Sequence, residues 1–113
     1  MSKTLQEHIE AVESGYEFLL AYAAQGREDD KGSEVRDTLT SMRDAASGID
    51  NLLTNDDGVY SAVVVDDARK SIAAISLVLS QEGISSELVD NLNASIHLRA
   101  LLTDLFLLSE TID

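Results

Sequence analysis

Acidic side chains are the most regularly spaced groups in this sequence that could do chemistry. Four glutamates recur at intervals of three and four residues: Glu7, Glu10, Glu13 and Glu17. On a helix, this spacing places them along one edge. A di-metal site in a helical bundle also needs Glu-x-x-His pairs, but Leu5 precedes His8 and Ala94 precedes His97 by three residues. The sequence therefore predicts a solvent-facing acidic edge and no metal site.

The two histidines are the remaining candidates for catalysis. Phosphotransfer domains built as helical bundles present one histidine in the pattern His-x-x-Lys-Gly. Ala100 stands where that lysine would follow His97, so the favoured interpretation of His97, and of His8, is a histidine at a polar–apolar boundary. The chain has no cysteine, which excludes thiol chemistry. We expect no catalytic residue, no cofactor and a protein that is not an enzyme.

The charge balance limits the partners. The chain has 113 residues, with 21 acidic against 8 basic side chains and a net charge of −13. Nucleic-acid backbones are bound through Lys and Arg, so direct nucleic-acid binding is not expected. The first residues lack the apolar core of a signal peptide, and the most apolar run, Leu98 to Leu108, is too short to cross a bilayer. A cytoplasmic location without membrane contact is the expectation.

The elements that position these groups are predicted to be helices. The 44% of apolar residues suffices for one core, and the absence of proline permits long helices. Apolar residues recur at helical spacing between polar, glycine-containing breaks. We predict four helices, at about residues 4–25, 33–54, 59–82 and 85–109, in a single domain over residues 1–113. Similar lengths and short connections indicate an all-α fold, an antiparallel four-helix bundle with up-down-up-down topology.

Local signals mark several helix ends. Thr4 and Glu7 match a capping box, and Gly26 is placed for the left-handed residue that follows a helix. Ser85 is the predicted N-cap of the fourth helix. At the start of the third helix a short strand is the alternative, because residues 59–65 are rich in β-branched residues, which favour strands.

The fourth predicted helix has two apolar faces. At about 100° per residue, Val89 and Leu92 point one way, whereas Leu101 and Leu105 point nearly the opposite way. The helix is covered on both sides, or it kinks near residues 91–94, or one face is an interface. We favour the interface, with a symmetric homodimer as its simplest form. The predicted interface residues are Leu98, Leu101, Leu102, Leu105 and Leu108 of this helix and Gly15, Phe18 and Tyr22 of the first.

These features predict a small acidic, non-enzymatic protein that acts by binding a protein partner, most simply a second copy of itself. For the first helix, packing against two neighbours within the bundle is the alternative to an interface. A minority interpretation is a nucleic-acid mimic, because a compact acidic protein can occupy a basic groove. Two further alternatives stay open: a ligand- or metal-binding enzyme with its site in the bundle or across a dimer, and an accessory subunit of a larger assembly.

Overall fold

The computed structural model describes residues 4–111, and within them every regular element is an α-helix. The helices of this region are α1 (Leu5–Ala23), α2 (Val35–Leu53), α3 (Val59–Leu79), α4 (Ser86–Ala94) and α5 (Ile96–Ser109). The all-α prediction is confirmed. The four-helix architecture is not, because two helices occupy the span predicted for the fourth. No helix in this part of the chain is long and apolar enough to cross a membrane.

The first helix begins with the predicted capping box. The Glu7 N–H donates to Thr4 Oγ1 at 3.2 Å, and the Thr4 N–H donates to Glu7 Oε1 at 2.9 Å. α1 ends at Ala23, slightly before the predicted end at Gln25. Beyond it, Gly26 has a φ of +68°, as predicted for the left-handed residue that follows a helix, a conformation that glycine adopts at no steric cost.

The second helix is shorter than predicted at both ends, since it stops at Leu53 rather than at residue 54, and the third is shorter at one end. α2 begins at Val35 rather than at residue 33, because Ser33 Oγ accepts the Val35 N–H at 3.1 Å in a turn that precedes the helix. α3 ends at Leu79 rather than at residue 82. The strand alternative for residues 59–65 is wrong, because this segment is the first part of α3. Burial of one face against the other helices overrides its β propensity.

The predicted fourth helix breaks at Ser95, whose φ of −63° and ψ of 140° are extended. The Ser95 N–H still donates to the Leu92 carbonyl at 3.0 Å, and the Ser95 carbonyl accepts the Arg99 N–H at 3.4 Å. One residue therefore ends α4 and begins α5. The break corresponds to the second explanation given for the two apolar faces, a kink near residues 91–94, and lies just after those residues. The change of direction lets Leu92 on α4 and Leu101 on α5 enter one core, where both are at most 4% exposed.

The helices pack so that α2 lies between α1 and α3, while α4 lies mainly against α1 and α5 mainly against α3. Gly15 of α1 faces Met42 of α2, and His8 faces Gly48, so α1 and α2 are antiparallel. The hydrophobic cluster of buried side chains between the helices is aliphatic except for Tyr22 and Met42. A single buried core of this kind is expected for a chain of this length.

Arg36 ties together three segments at one end of the molecule. Its guanidinium forms an ion pair with Asp30 at 2.7 Å. It also donates to three carbonyls at and after the end of α3, at 2.7 to 3.1 Å, those of Leu79, Gln81 and Glu82. Asp30 Oδ1 accepts the Ile84 N–H at 2.9 Å, and the hydrogen bonds from Arg36 and Ile84 hold the pKa of Asp30 below its usual value. Arg36 thus supplies donors to carbonyls that a helix end leaves unpaired.

We expect Arg36→Met to lower the free energy of unfolding by about 2 kcal/mol, because several hydrogen bonds and one ion pair are lost while the aliphatic stem is kept. Urea unfolding followed by circular dichroism measures this change. Arg69→Met is the matched control. Arg69 also pairs with an aspartate, Asp50, but its side chain is 60% exposed, so its loss should cost about 0.5 kcal/mol or less. Equal losses in the two variants would contradict the role assigned to Arg36.

Candidate functional site

Tyr60 and Asp104 join α3 to α5. The Tyr60 hydroxyl donates to Asp104 Oδ1 at 2.9 Å, and the Ser71 hydroxyl donates to the His97 carbonyl at 3.0 Å. Residue numbers rise along α3 as they fall along α5, so the two helices are antiparallel. Asp67 lies two turns after Tyr60 on the same side of α3, and its carboxyl interacts with that of Asp104. Two carboxyl groups and a phenol therefore meet across the α3–α5 contact.

The Asp104 carboxyl titrates near neutral pH. Its pKa is raised from the usual 3.8 to about 7, mainly by burial and secondly by hydrogen bonding with Asp67. The hydrogen bond from Tyr60 acts in the opposite direction and lowers the pKa. The residue is only 6% exposed. Burial and the bond to Asp104 in turn raise the pKa of the Tyr60 hydroxyl. Desolvation and a like-charged neighbour both disfavour the ionised carboxylate, so the cluster holds a proton at pH values where an isolated aspartate holds none.

One oxygen of Asp104 lacks a fixed donor. Its Oδ2 is buried and accepts no hydrogen bond from the residues that the structure describes. The Asp67 carboxyl beside it cannot donate while ionised. Among residues 4–111, the group that can supply the missing hydrogen bond to Oδ2 is therefore the Asp67 carboxyl, if the two carboxyl groups share a proton. An unsatisfied buried acceptor costs about 1–3 kcal/mol, and more when it is charged, so this position favours a proton or another donor.

Asp104 also borders a hollow beside the junction of α4 and α5. The hollow has a volume of about 570 Å³ and is lined by Ala94, Ile96, Arg99, Ala100, Thr103 and Asp104. Its apolar part includes Ile96, whose side chain is 75% exposed. The Arg99 guanidinium forms no ion pair with any residue of the described region. The hollow thus offers a guanidinium and an apolar surface, whereas the Asp104 carboxyl has one oxygen bonded to Tyr60 and the other buried.

A second depression runs between α1 and α2. Its larger part, of about 370 Å³, is lined by Ala11, Ser14, Gly15 and Phe18 of α1, by Asp37, Thr38 and Ser41 of α2 and by Glu34, which directly precedes α2. A smaller part, of about 220 Å³, is lined by His8, Ala11, Ser41, Asp44 and Ala45. We call the two parts together the α1–α2 groove. Its lining contains three carboxylates and neither lysine nor arginine.

Known proteins give no guide to the role of either depression. No family model, curated protein or solved structure matches this chain. Function is therefore argued from the geometry and chemistry of the two sites alone, which is where function lies in any case, because one fold can carry many functions.

The predicted interface residues on α5 lie inside the chain. Four of them are at most 4% exposed: Leu98, Leu101, Leu102 and Leu105. Leu108 is partly buried against the same core. The break at Ser95 turns this face inward, which removes the surplus apolar face from which the interface was predicted. Side chains that the chain itself covers offer no surface to a second chain, so these residues are assigned to the core.

The predicted interface residues on α1 are divided between core and groove. Tyr22 is fully buried, and its hydroxyl donates to the Ile84 carbonyl. Gly15 is buried where a Cβ atom would overlap the side chain of Met42, so close helix packing accounts for this glycine. Phe18 is only partly buried and, with Gly15, lines the α1–α2 groove. The alternative in which α1 packs against two neighbours therefore explains Gly15 and Tyr22, while Phe18 remains available to a partner.

The residues that suggested chemistry in the sequence are not brought together. Glu7, Glu10 and Glu17 are exposed, and the structure places His8 and His97 on different helices. Across the described residues there is no group of three or more His, Cys, Asp or Glu that could hold a metal ion. The acidic edge of α1 thus lies in solvent at three of its four glutamates, whereas Glu13 is partly buried.

Sequence reasoning missed the Tyr60–Asp67–Asp104 cluster. Asp104 was visible only as an interruption of the apolar run from Leu98 to Leu108, and Tyr60 only as an aromatic residue near a helix start. One signal was available, because Asp104 directly precedes the core residue Leu105. A carboxyl group inside an apolar stretch is costly to bury unless it is paired or protonated. That cost indicates a partner on a neighbouring helix but does not identify it.

Proposed function

We propose that this protein is a non-enzymatic interaction protein that binds a basic segment of a protein partner in the α1–α2 groove. The observation that carries this proposal is the lining of the groove, in which Glu34, Asp37 and Asp44 occur without a lysine or arginine. The net charge of −13 adds a long-range attraction for cationic partners. Such charge complementarity gives fast, salt-sensitive association and excludes acidic competitors.

The groove has the dimensions and the apolar contact that a short segment needs. Glu34, Asp37, Ser41 and Asp44 follow one another at helical spacing, so they form one wall that extends about 15 Å along α2. Phe18 lines the same depression and stacks on Tyr22 with ring centroids 6.5 Å apart, which holds its ring in place. Aromatic residues, phenylalanine among them, are enriched in the buried centre of protein interfaces.

A binding experiment with a defined cationic probe tests the proposal. The probe is a fluorescein-labelled peptide of lysine and leucine, and fluorescence anisotropy at low salt measures its Kd. We expect the double variant Asp37→Asn, Asp44→Asn to raise the Kd about tenfold, equivalent to about 1.4 kcal/mol. We also expect high salt to weaken binding to the unsubstituted protein, because the attraction between exposed charges is screened.

The matched control removes the same charge elsewhere. Glu87→Gln with Asp90→Asn neutralises two exposed carboxylates of α4, which do not line the groove. This variant should change the Kd at most about twofold. Equal losses in the two double variants would show that the peptide responds to total charge, and the proposed groove would then be wrong.

The bundle topology, the homodimer, the cytoplasmic location and the place in a larger assembly that the sequence predicted are kept here as proposals. An up-down-up-down bundle, in which α4 and α5 share the place of one helix, is supported by the antiparallel α1–α2 and α3–α5 pairs. A homodimer would use side chains that are still exposed, such as Phe106 and Leu107, against the repulsion between two copies of charge −13. Light scattering at low and high salt distinguishes one copy from two. A cytoplasmic location and a place in a larger assembly are proposed on the sequence alone.

A further inference from the structure

We propose that α5 is a pH-sensitive helix, which opens away from α3 about a hinge at Ser95 when the buried carboxyl group of Asp104 ionises. The open form is a minor state in which the other helices stay folded, and its population rises with pH. The proposal is independent of the α1–α2 groove. It rests on the place of Asp104 in the α3–α5 contact, on its oxygen that is buried without a donor, and on the one-residue break before α5.

Ser95 allows α5 to move separately from α4. Its extended backbone, with φ −63° and ψ 140°, separates the two helices. The Ser95 N–H bonds back to Leu92 of α4, whereas its carbonyl accepts the Arg99 N–H of α5, so a rotation about its own φ or ψ breaks neither bond. The Ser95 side chain makes no capping bond to α5. A residue at the end of an element that absorbs a change in φ and ψ is typical of a hinge.

The contact that holds α5 is made mainly with α3. The Ser71 hydroxyl donates to the His97 carbonyl at 3.0 Å, and the Tyr60 hydroxyl donates to Asp104 Oδ1 at 2.9 Å. Four leucines of α5 are at most 4% exposed in the closed form: Leu98, Leu101, Leu102 and Leu105. Their burial keeps the open form rare, but apolar contacts carry no charge that titrates. Asp104 is therefore the group of this contact through which pH acts.

Ionised Asp104 fits poorly in the closed form. Its Oδ1 accepts the hydrogen bond from Tyr60, but its Oδ2 is buried and accepts none from the described residues. The Asp67 carboxyl of α3 acts on it as a like charge. A buried carboxylate beside a second carboxylate is destabilised both by lost hydration and by repulsion. Opening relieves both, because it returns Asp104 to water and separates it from Asp67.

No cation compensates this charge within the described residues. Lys70 of α3 is held by Asp66 at 2.9 Å. Arg99 of α5 lines the same hollow as Asp104 but forms no ion pair with it. The helices α1 and α4 also contact α5, yet in the described region Asp67 and Tyr60 of α3 are the titratable groups that act on Asp104. Ionisation therefore acts directly on the α3–α5 contact.

The size of the effect follows from linkage. The closed form raises the pKa of Asp104 from 3.8 to about 7, whereas in the open form the carboxyl lies in water and ionises as an ordinary aspartate. Between these pH values the open form has released a proton that the closed form still holds, so rising pH favours opening until the closed form is itself ionised. The opening constant should increase about tenfold between pH 6 and pH 8.

Native-state hydrogen exchange of the full chain, followed by NMR, tests the proposal. Measured rates are divided by the intrinsic rates at each pH to give protection factors. We expect the amides of α5 to be at least about tenfold less protected than the most protected amides of α2, because local opening precedes global unfolding. Low concentrations of urea should leave exchange in α5 nearly unchanged, since a local opening exposes little surface. Equal protection of α5 and α2 would overturn the proposal, and this comparison needs no variant.

The pH dependence tests the role of Asp104. From pH 6 to pH 8 the protection of α5 should fall about tenfold in the unsubstituted protein and change at most about twofold in Asp104→Asn, which has no carboxyl to ionise at this place. Asp90→Asn removes an exposed charge on α4 and should keep the tenfold fall. Protection of α5 that is the same at both pH values, or that falls equally in Asp104→Asn, would contradict the proposed switch.

Discussion

Asp104→Asn is expected to raise the free energy of unfolding by about 3 kcal/mol at pH 8 and to change it little near pH 4. The folded protein raises the pKa of this carboxyl from 3.8 to about 7. Between these values the folded chain holds a proton that the unfolded chain has released. Stability due to Asp104 therefore falls as the pH rises from about 4 to about 7, by up to about 1.4 kcal/mol per pH unit.

Asparagine removes this dependence because it resembles the protonated acid. Its side-chain oxygen can accept the hydrogen bond from Tyr60, and its NH₂ group can donate to Asp67 without a proton being taken from solvent. The variant therefore keeps the arrangement of the cluster at pH values where the natural carboxyl is forced to ionise. Repulsion with Asp67, which is one of the causes of the raised pKa and so is already part of the gain at pH 8, also disappears.

Urea unfolding at several pH values measures the effect, with Asp90→Asn as the control. Asp90 is an exposed aspartate on α4, so its neutralisation should change the unfolding free energy by about 0.5 kcal/mol or less at each pH. The informative quantity is the difference between the two variants as a function of pH. A gain for Asp104→Asn that is the same at pH 5 and pH 8 would rule out titration of this carboxyl as its cause.

A buried aspartate that weakens the fold at neutral pH bears on function. The fold raises the pKa of Asp104 to about 7, and an asparagine at the same place is expected to make the protein more stable at neutral pH. Residues at which stability is given up in this way are often those that bind or react.

Features that depend on neighbours in the sequence could be predicted. The capping box of Thr4 and Glu7 and the cap at Ser85, whose Oγ accepts the Leu88 N–H at 3.0 Å, need only residues within one helical turn. The same holds for the left-handed Gly26. The three long helices follow from apolar periodicity, which is the strongest local signal in the chain.

Features that depend on distant residues could not be predicted. The two apolar faces after Ser85 were visible, but the sequence did not show whether a second chain or a turn at Ser95 would cover the second face. Serine fits both a helix interior and a cap, so it does not decide between them. The pairing of Asp104 with Tyr60 joins residues that are 44 positions apart, and it exists only once α3 and α5 have packed.

Leu98→Ala tests the assignment of the α5 leucines to the core. Leu98 is fully buried within the chain, so truncation removes apolar contacts and leaves a cavity, which should lower the free energy of unfolding by about 3 kcal/mol. Urea unfolding of the variant at two protein concentrations measures this. The loss should not depend on concentration, because the contacts of Leu98 lie within one molecule.

Leu107→Ala is the matched control, since it removes the same atoms from a leucine of the same helix that is 55% exposed. Its truncation should cost less than about 1 kcal/mol, because little packing is lost. If Leu98 instead faced a second copy of the chain, stability would rise with protein concentration, as it does wherever association favours the folded state. A concentration-dependent midpoint that Leu98→Ala abolishes would restore the interface. A large, concentration-independent loss confined to Leu98→Ala would place this leucine in the core of a single chain and exclude it from an interface.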